Sequence, residues 1–271
     1  MPGGDARWCQ RARRGDFSAR TRDLLRAGAC ALIVLIASLV MTTGGSLPKA
    51  RASGGAPDGR PYTLLVSSVP GERPLLVVLH GWRLDGLWMQ HDTGLDAAVR
   101  LGYDVAYLDG VDEAWDAGSC CGAASADHID DVDYVRAVTA TVEKQHPIAR
   151  DDVYAVGFSN GGMLAWRLAC DRVVDAAVVV AGSLVARCPD PVTVLNIHGT
   201  HDRTVPYLGG YSKFTSTWFP NENHLSLPRD SHVTTALWAG GHVWPSWATP
   251  RLLAWLAQLE GNNATMGHTA A

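Results

Sequence analysis

The chain has 271 residues, 47% of them hydrophobic and 18% charged, with a formal net charge of −4. That balance suits one globular domain with a substantial core and excludes a disordered or collagen-like chain. Nothing in it points to nucleic acid as a partner.

The charge is unevenly spread. Residues 1–52 hold nine basic and three acidic residues, a net +6, so the remainder carries −10. A basic region runs to Arg26, an uncharged apolar run follows from Ala27 to Met41, and a polar stretch ends at Ala50-Arg51-Ala52 before Ser53. Basic, then apolar, then small residues at −3 and −1 is the order of an export signal. The apolar run is short for a membrane-spanning helix, which needs about 20 residues. The expectation is a signal peptide over 1–52, with an uncleaved N-terminal anchor as the alternative and the only route to a membrane. Either way the remaining domain, 53–271, lies outside the cytoplasm.

Residues 53–60 (SGGAPDGR) read as a Gly/Pro-rich lead-in. Strands are expected at Tyr62–Val66, Leu75–His80, Val105–Leu108, Val153–Phe158, Ala176–Ala181, Val192–His198 and Val233–Leu237. Several are continuous apolar runs, as in strands covered on both faces. Between them, residues 128–145 place Ile129, Val132, Val135, Val138 and Val142 on one helical stripe. Residues 161–170 and 249–259 also read as helices, the latter with Pro250 in its first turn. Residues 261–271 read as a loose tail. Strand–helix alternation predicts an α/β fold, a mainly parallel sheet with helices on both faces.

Beyond the signal segment the cysteines are Cys120, Cys121, Cys170 and Cys188. An even number in an exported domain predicts two disulfides. A bond between neighbours strains the intervening peptide, so Cys120 and Cys121 are expected to pair separately with Cys170 and Cys188. The spacings fit no usual zinc pattern, and no metal is expected.

The sharpest motif is Gly157-Phe158-Ser159-Asn160-Gly161-Gly162, between an expected strand and an expected helix. That is the setting of a G-x-S-x-G nucleophile elbow, which lifts a serine hydroxyl above the sheet edge at a helix N-terminus. Ser159 is the candidate nucleophile. A serine needs a general base and the base an orienting acid, following in the order serine, acid, histidine on this architecture. Asp202 lies just after the apolar run Val192–Ile197, at a strand's carboxyl end, where α/β sheets place their sites; Asp230 is the reserve. His242 sits in Gly240-Gly241-His242-Val243-Trp244-Pro245, just past the last expected strand, whereas His224, His232 and His268 lack such a setting. The oxyanion needs backbone donors. These are expected from Asn160, after the nucleophile, and from Trp82, where the strand ending at Leu79 runs into His80-Gly81-Trp82.

Six segments together resemble the extracellular polyhydroxybutyrate depolymerase and feruloyl/acetylxylan esterase group, in the carbohydrate-esterase branch of the α/β-hydrolases. They are LHGW (79–82), AYLDGVDEAWDAGSCCG (106–122), DDVDYVRAV (130–138), DDVYAVGFSNGGMLAWRLAC (151–170), HGTHDRTVPYLGG (198–210) and GGHVWP (240–245). The resemblance implies an α/β-hydrolase fold, a Ser159–Asp202–His242 triad, and an oxyanion hole from the Trp82 and Asn160 backbones. It also places Trp115 and Cys120-Cys121 on a loop near the substrate cleft and Trp244 beside the histidine, with both tryptophans as candidate substrate faces. The group usually carries a longer insert before its G-G-H-x-W-P segment; here about 30 residues intervene. The implied activity is hydrolysis of carboxylic esters without a cofactor, on small-molecule, polysaccharide-linked or polyester substrates. The alternatives are a non-catalytic exported binding protein, or a lipase or peptidase on the same fold.

Overall fold

The computed structural model describes residues 51–55 and 58–267, so the expected export segment up to residue 50 and His268 lie outside the described residues. The strands are β1 (Arg51–Gly55), β2 (Pro61–Leu65), β3 (Arg73–Leu79), β4 (Asp104–Leu108), β5 (Ile148–Phe158), β6 (Ala176–Val180), β7 (Thr193–Gly199), β8 (Gly210–Ser212), β9 (Thr217–Phe219) and β10 (His232–Trp238). The helices are α1 (Gly86–Thr93), α2 (Ala97–Arg100), α3 (Gly122–Ala126), α4 (Asp131–Gln145), α5 (Asn160–Cys170) and α6 (Ala248–Gly267).

Eight strands form one sheet in the order β1-β2-β4-β3-β5-β6-β7-β10. β1 and β2 pair antiparallel, as do β2 and β4. Every pairing from β4 through to β10 is parallel. β8 and β9 form a separate antiparallel hairpin. The seven expected strands are all present, with ends moved by a few residues.

The central strands are apolar throughout because both faces are covered. Along β3, Leu75, Val77 and Leu79 enter one core with Val135, Val138 and Val142 of α4 and Leu164, Trp166 and Leu168 of α5. Leu76 and Val78 point the other way, against Met89 of α1, Ala98 of α2 and Leu252 and Leu256 of α6. The period of two along a strand thus feeds two separate cores.

Two expected loops are ordered elements. The lead-in after residue 52 overlaps β1, which begins at Arg51 and pairs along β2 from Arg51–Leu65 to Gly55–Pro61. A glycine-rich stretch shows no hydrophobic alternation, so only backbone pairing with the β2 edge reveals it. The expected loose tail continues α6 as far as Gly267. Helices α1, α2 and α3 were not legible in the sequence. Local chemistry defines α1: the Asp85 carboxylate accepts from the Trp88 N–H at 2.7 Å, and Gly94 ends the helix at φ 70°.

The disulfide pairing differs from expectation. Cys170 bonds Cys188, and Cys120 bonds Cys121 across a cis peptide. The reason is placement. The Cys120 carbonyl is held by the Asn160 side chain at the start of α5, whereas Cys170 is its last residue. An 11-residue helix is about 15 Å long, far beyond the Cα separation a disulfide spans. Cys188, in the loop after β6, lies 4.6 Å from Cys170 between Cα atoms.

Peptide mapping under non-reducing conditions should therefore recover Cys170 linked to Cys188 and no peptide joining Cys120 or Cys121 to either. Replacing Cys170 and Cys188 together by serine opens a loop of 18 residues. It should lower the unfolding free energy by about 3 kcal/mol in denaturant titration.

Candidate active site

β5 ends at Phe158 and α5 starts at Asn160, so the chain reverses on Ser159 alone. Ser159 takes φ 54° and ψ −117°, a conformation that a non-glycine residue holds only when its surroundings over-determine it. Its N–H donates to the Val180 carbonyl of β6 at 2.8 Å, and its carbonyl accepts from Met163 at 2.9 Å. The loop after β3 presses against this turn. A Cβ on Gly161 would strike the backbone carbonyls of Leu79 and His80, and one on Gly81 would lie 3.3 Å from the Ser159 Cβ. Glycine at both positions lets the two segments meet.

Asp202 and His242 reach the same place from neighbouring strand ends. β7 and β10 run parallel in register to the Gly199–Trp238 pair. The loops beyond stay tied: Thr200 N–H donates to the Trp238 carbonyl at 2.8 Å and His201 N–H to the Gly240 carbonyl at 2.9 Å. This delivers the His242 Nε2 to 2.8 Å from the Ser159 Oγ and its Nδ1 to 2.7 Å from the Asp202 Oδ2. The other oxygen, Asp202 Oδ1, accepts from the Thr204 and Val205 N–H groups at 2.8 Å each. Phe158 packs against the His242 ring at 5.2 Å, and Trp244 meets Phe158 edge-on at 6.4 Å. Trp244 is half-buried, and its Nε1 donates to the Thr249 hydroxyl at 3.1 Å. The reserve acid Asp230 lies in the turn before β10, His232 opens that strand, and His224 ends a short 3₁₀ turn. None of these three has a bond to Ser159 or to His242.

A second histidine shares the carboxylate. His198, at 0% exposure, donates from Nε2 to the Val205 carbonyl at 2.8 Å and sits 3.5 Å from the Asp202 Oδ2. Burial would push the Asp202 carboxyl up, but hydrogen bonds from His198 and His242, the His242 charge and the Val205 N–H outweigh it and hold it at about 2. Burial works against the His198 cation, yet Asp202, the Val205 carbonyl and Glu222 together raise it above the usual imidazole range. Glu222, also buried, accepts from the Asn196 side chain at 2.7 Å. Sequence reasoning did not single out His198 or Glu222; the available signal was the i, i+4 spacing of His198 and Asp202 within one loop motif.

On the other side of Ser159, the Trp82 and Asn160 N–H groups make no backbone hydrogen bond among the described residues. For Asn160 this is what the first N–H of a helix must show, whereas Trp82 lies in the turn after β3. Trp115 is not at a substrate face. It is fully buried, and its indole N–H donates to the His80 carbonyl at 2.8 Å. The cause is the Asn160 side chain, which gathers the loop inward. It accepts from the Trp115 N–H at 2.8 Å and donates to the Trp115 and Cys120 carbonyls at 3.0 Å each. Trp115 thus links the residue after Ser159 to the strand end that carries Trp82. Among the described residues, no group of three or more His, Cys, Asp or Glu side chains is arranged to hold a metal ion.

Comparisons with known proteins follow the same lines. The S-formylglutathione hydrolase FrmB of Staphylococcus aureus superposes with a TM-score of 0.53 over 78% of this chain and 99% of its own, at 17% identity. Esterase PE8 superposes with a TM-score of 0.53 over 72% and 96%, at 20% identity. In sequence, the "Putative esterase NocK" of Nocardia uniformis subsp. tsuyamanensis is 39% identical over 150 residues, 52% of this chain and 44% of that protein. Feruloyl esterase B of Piromyces equi is 31% identical over 157 residues, 52% of this chain and 28% of that protein. The protein has the fold of these α/β-hydrolase structures, and part of its sequence is similar to esterases that include a feruloyl esterase. The chain spans less than half the length of these two sequence relatives. No protein-family model matches it.

Two outcomes follow for this domain. Asn160→Ala strands three buried backbone groups of Trp115 and Cys120 and should cost about 2–4 kcal/mol in urea unfolding. Asp202, held low when folded, stabilises the fold at pH values above the ordinary carboxylate range, and that contribution is lost as pH falls toward 2. Its size is about 2 kcal/mol. Asp202→Asn should therefore flatten the acid side of the stability–pH curve, read by thermal melts across that range.

Proposed function

We propose that the protein is an exported serine esterase that hydrolyses carboxylic esters through Ser159, His242 and Asp202. The observation that carries this reading is a single imidazole bridging, at 2.8 and 2.7 Å, a serine on a strained strand-to-helix turn and a buried aspartate. His242 Nε2 takes the proton of Ser159 Oγ as that oxygen attacks the ester carbonyl. Asp202 accepts from Nδ1, fixing the tautomer and stabilising the imidazolium. The Trp82 and Asn160 N–H groups bind the developing oxyanion. Collapse expels the alcohol, protonated by His242, and leaves an acyl-enzyme on Ser159. Water deprotonated by His242 then releases the acid. Every bond broken is an ester or O–H bond, so the chemistry calls for no redox or organic cofactor.

The relatives' names support esters of ferulic type, phenolic acids linked to small alcohols or to polysaccharide. The segment before His242 holds β8, β9, a 3₁₀ turn and β10. A basic–apolar–A-x-A start and two disulfides support export.

Wild-type protein should hydrolyse acetyl or feruloyl nitrophenyl esters and be labelled by a fluorophosphonate at Ser159. Ser159→Ala should abolish labelling and lower kcat by at least about 10⁴-fold. A folded wild type that neither hydrolyses these esters nor takes the probe would refute the proposal.

A further inference from the structure

Three polar side chains lie behind Asp202, on the side away from Ser159, and the reaction written above uses none of them. His198, Asn196 and Glu222 are 0%, 2% and 9% exposed. Asn196 and His198 point inward from successive same-face positions of β7, and Glu222 comes from the 3₁₀ turn after the β8–β9 hairpin. Asn196 Nδ2 donates to Glu222 Oε2 at 2.7 Å. Ser183 and the Leu184 backbone also interact with the Glu222 carboxyl, which burial raises above the usual range, while the Nδ1 of His198 has no hydrogen-bond partner among the described residues. A buried carboxyl and a buried imidazole nitrogen cost free energy unless polar or charged neighbours answer them. A purely structural core would place apolar groups there.

We propose that His198 is a positioning residue for Asp202, an imidazole on the far side of the carboxylate that fixes its orientation and shares its charge, with Glu222 behind it as counter-charge. The inference rests on the serine-esterase reading of the site. Its geometry is direct. Asp202 Oδ2 lies 2.7 Å from His242 Nδ1 and 3.5 Å from His198 Nε2, so one oxygen stands between two imidazoles. His198 is itself held by the Val205 carbonyl, in the same turn whose N–H groups clamp Asp202 Oδ1. Tyr207 closes the remaining side, its ring 5.4 Å from that of His198. The charged and titratable groups facing His198 are therefore Asp202, Glu222 and Tyr207, and those facing Asp202 are His198 and His242. Because His198 faces the same carboxylate oxygen as His242, it shares the charge that Asp202 presents to the His242 ring. The residue touches neither substrate nor the reacting atoms.

The test is the pH dependence of two readouts on the full chain, kcat/KM for a nitrophenyl ester and the rate of fluorophosphonate labelling of Ser159. His198→Leu removes both the donor and the shared charge. It should lower the plateau rate about 10-fold through kcat, with KM little changed, and move the acid limb upward by about one pH unit. His198→Gln keeps an N–H donor but carries no charge. It should recover most of the plateau rate while its acid limb stays displaced, and it keeps the test decisive if the leucine variant fails to fold. A labelled, active wild type whose acid limb coincides with that of folded His198→Gln would overturn the role of His198 and leave the esterase reading standing. A wild type that is neither labelled nor active would remove both.

Discussion

The site depends on one backbone constraint, the reversal of the chain at Ser159 with φ 54°. A non-glycine residue in that region costs about 1–3 kcal/mol, so something must hold it. Two apolar cores do so. β5 is clamped between β3 and β6 with both faces covered, and α5 buries ten of its eleven residues. With strand and helix both fixed, the connecting residue has no freedom to relax. The hydroxyl is left at the sheet's carboxyl edge, and the first N–H groups of α5 face the same space.

The surrounding loops are not independent decorations of that edge. They are bonded to one another across the sheet. The β7 and β10 loops share hydrogen bonds that continue their parallel pairing, so the segments bearing Asp202 and His242 are tied to each other. The β3 loop and the 109–121 loop are joined through Trp115, whose indole holds His80 and whose backbone holds Asn160. A candidate nucleophile, base and donors supplied by four separate stretches of chain are thereby held in a single network of short, buried bonds. Buried polar groups in such a network are costly unless satisfied, and here that cost favours one arrangement over others.

Where the sequence was readable, the reason is periodicity or local chemistry. Continuous apolar runs marked several of the inner strands between β3 and β7, because strands buried on both faces are mostly apolar. The valine stripe marked α4. G-x-S-x-G between a strand and a helix marked the turn, since only that setting gives its glycines a purpose. Asp202 and His242 were legible from their positions just past strand ends. β1 was not, because its glycines and alanine carry no alternation and its existence depends on an edge offered by β2. The short helices α1 to α3 were hidden by their length, and the end of α6 by its polar composition.

By itself the sequence determined the α/β order of elements, the strand ends that bear Ser159, Asp202 and His242, and the even count of cysteines after residue 52. These are properties of local pattern and of chain order. The tertiary structure alone decided which side chains meet. Trp115, which a motif places near a cleft, is turned fully inward because the Asn160 amide captures its backbone. Cys170 pairs with Cys188 because the length of α5 carries it away from Cys120 and Cys121. His198, four residues before Asp202, becomes its second imidazole because the turn at Val205 folds it back beneath the carboxylate. The first two outcomes are contacts between segments distant in the chain, which a residue's own neighbours in sequence do not record; the third left only the i, i+4 spacing of His198 and Asp202 as its trace.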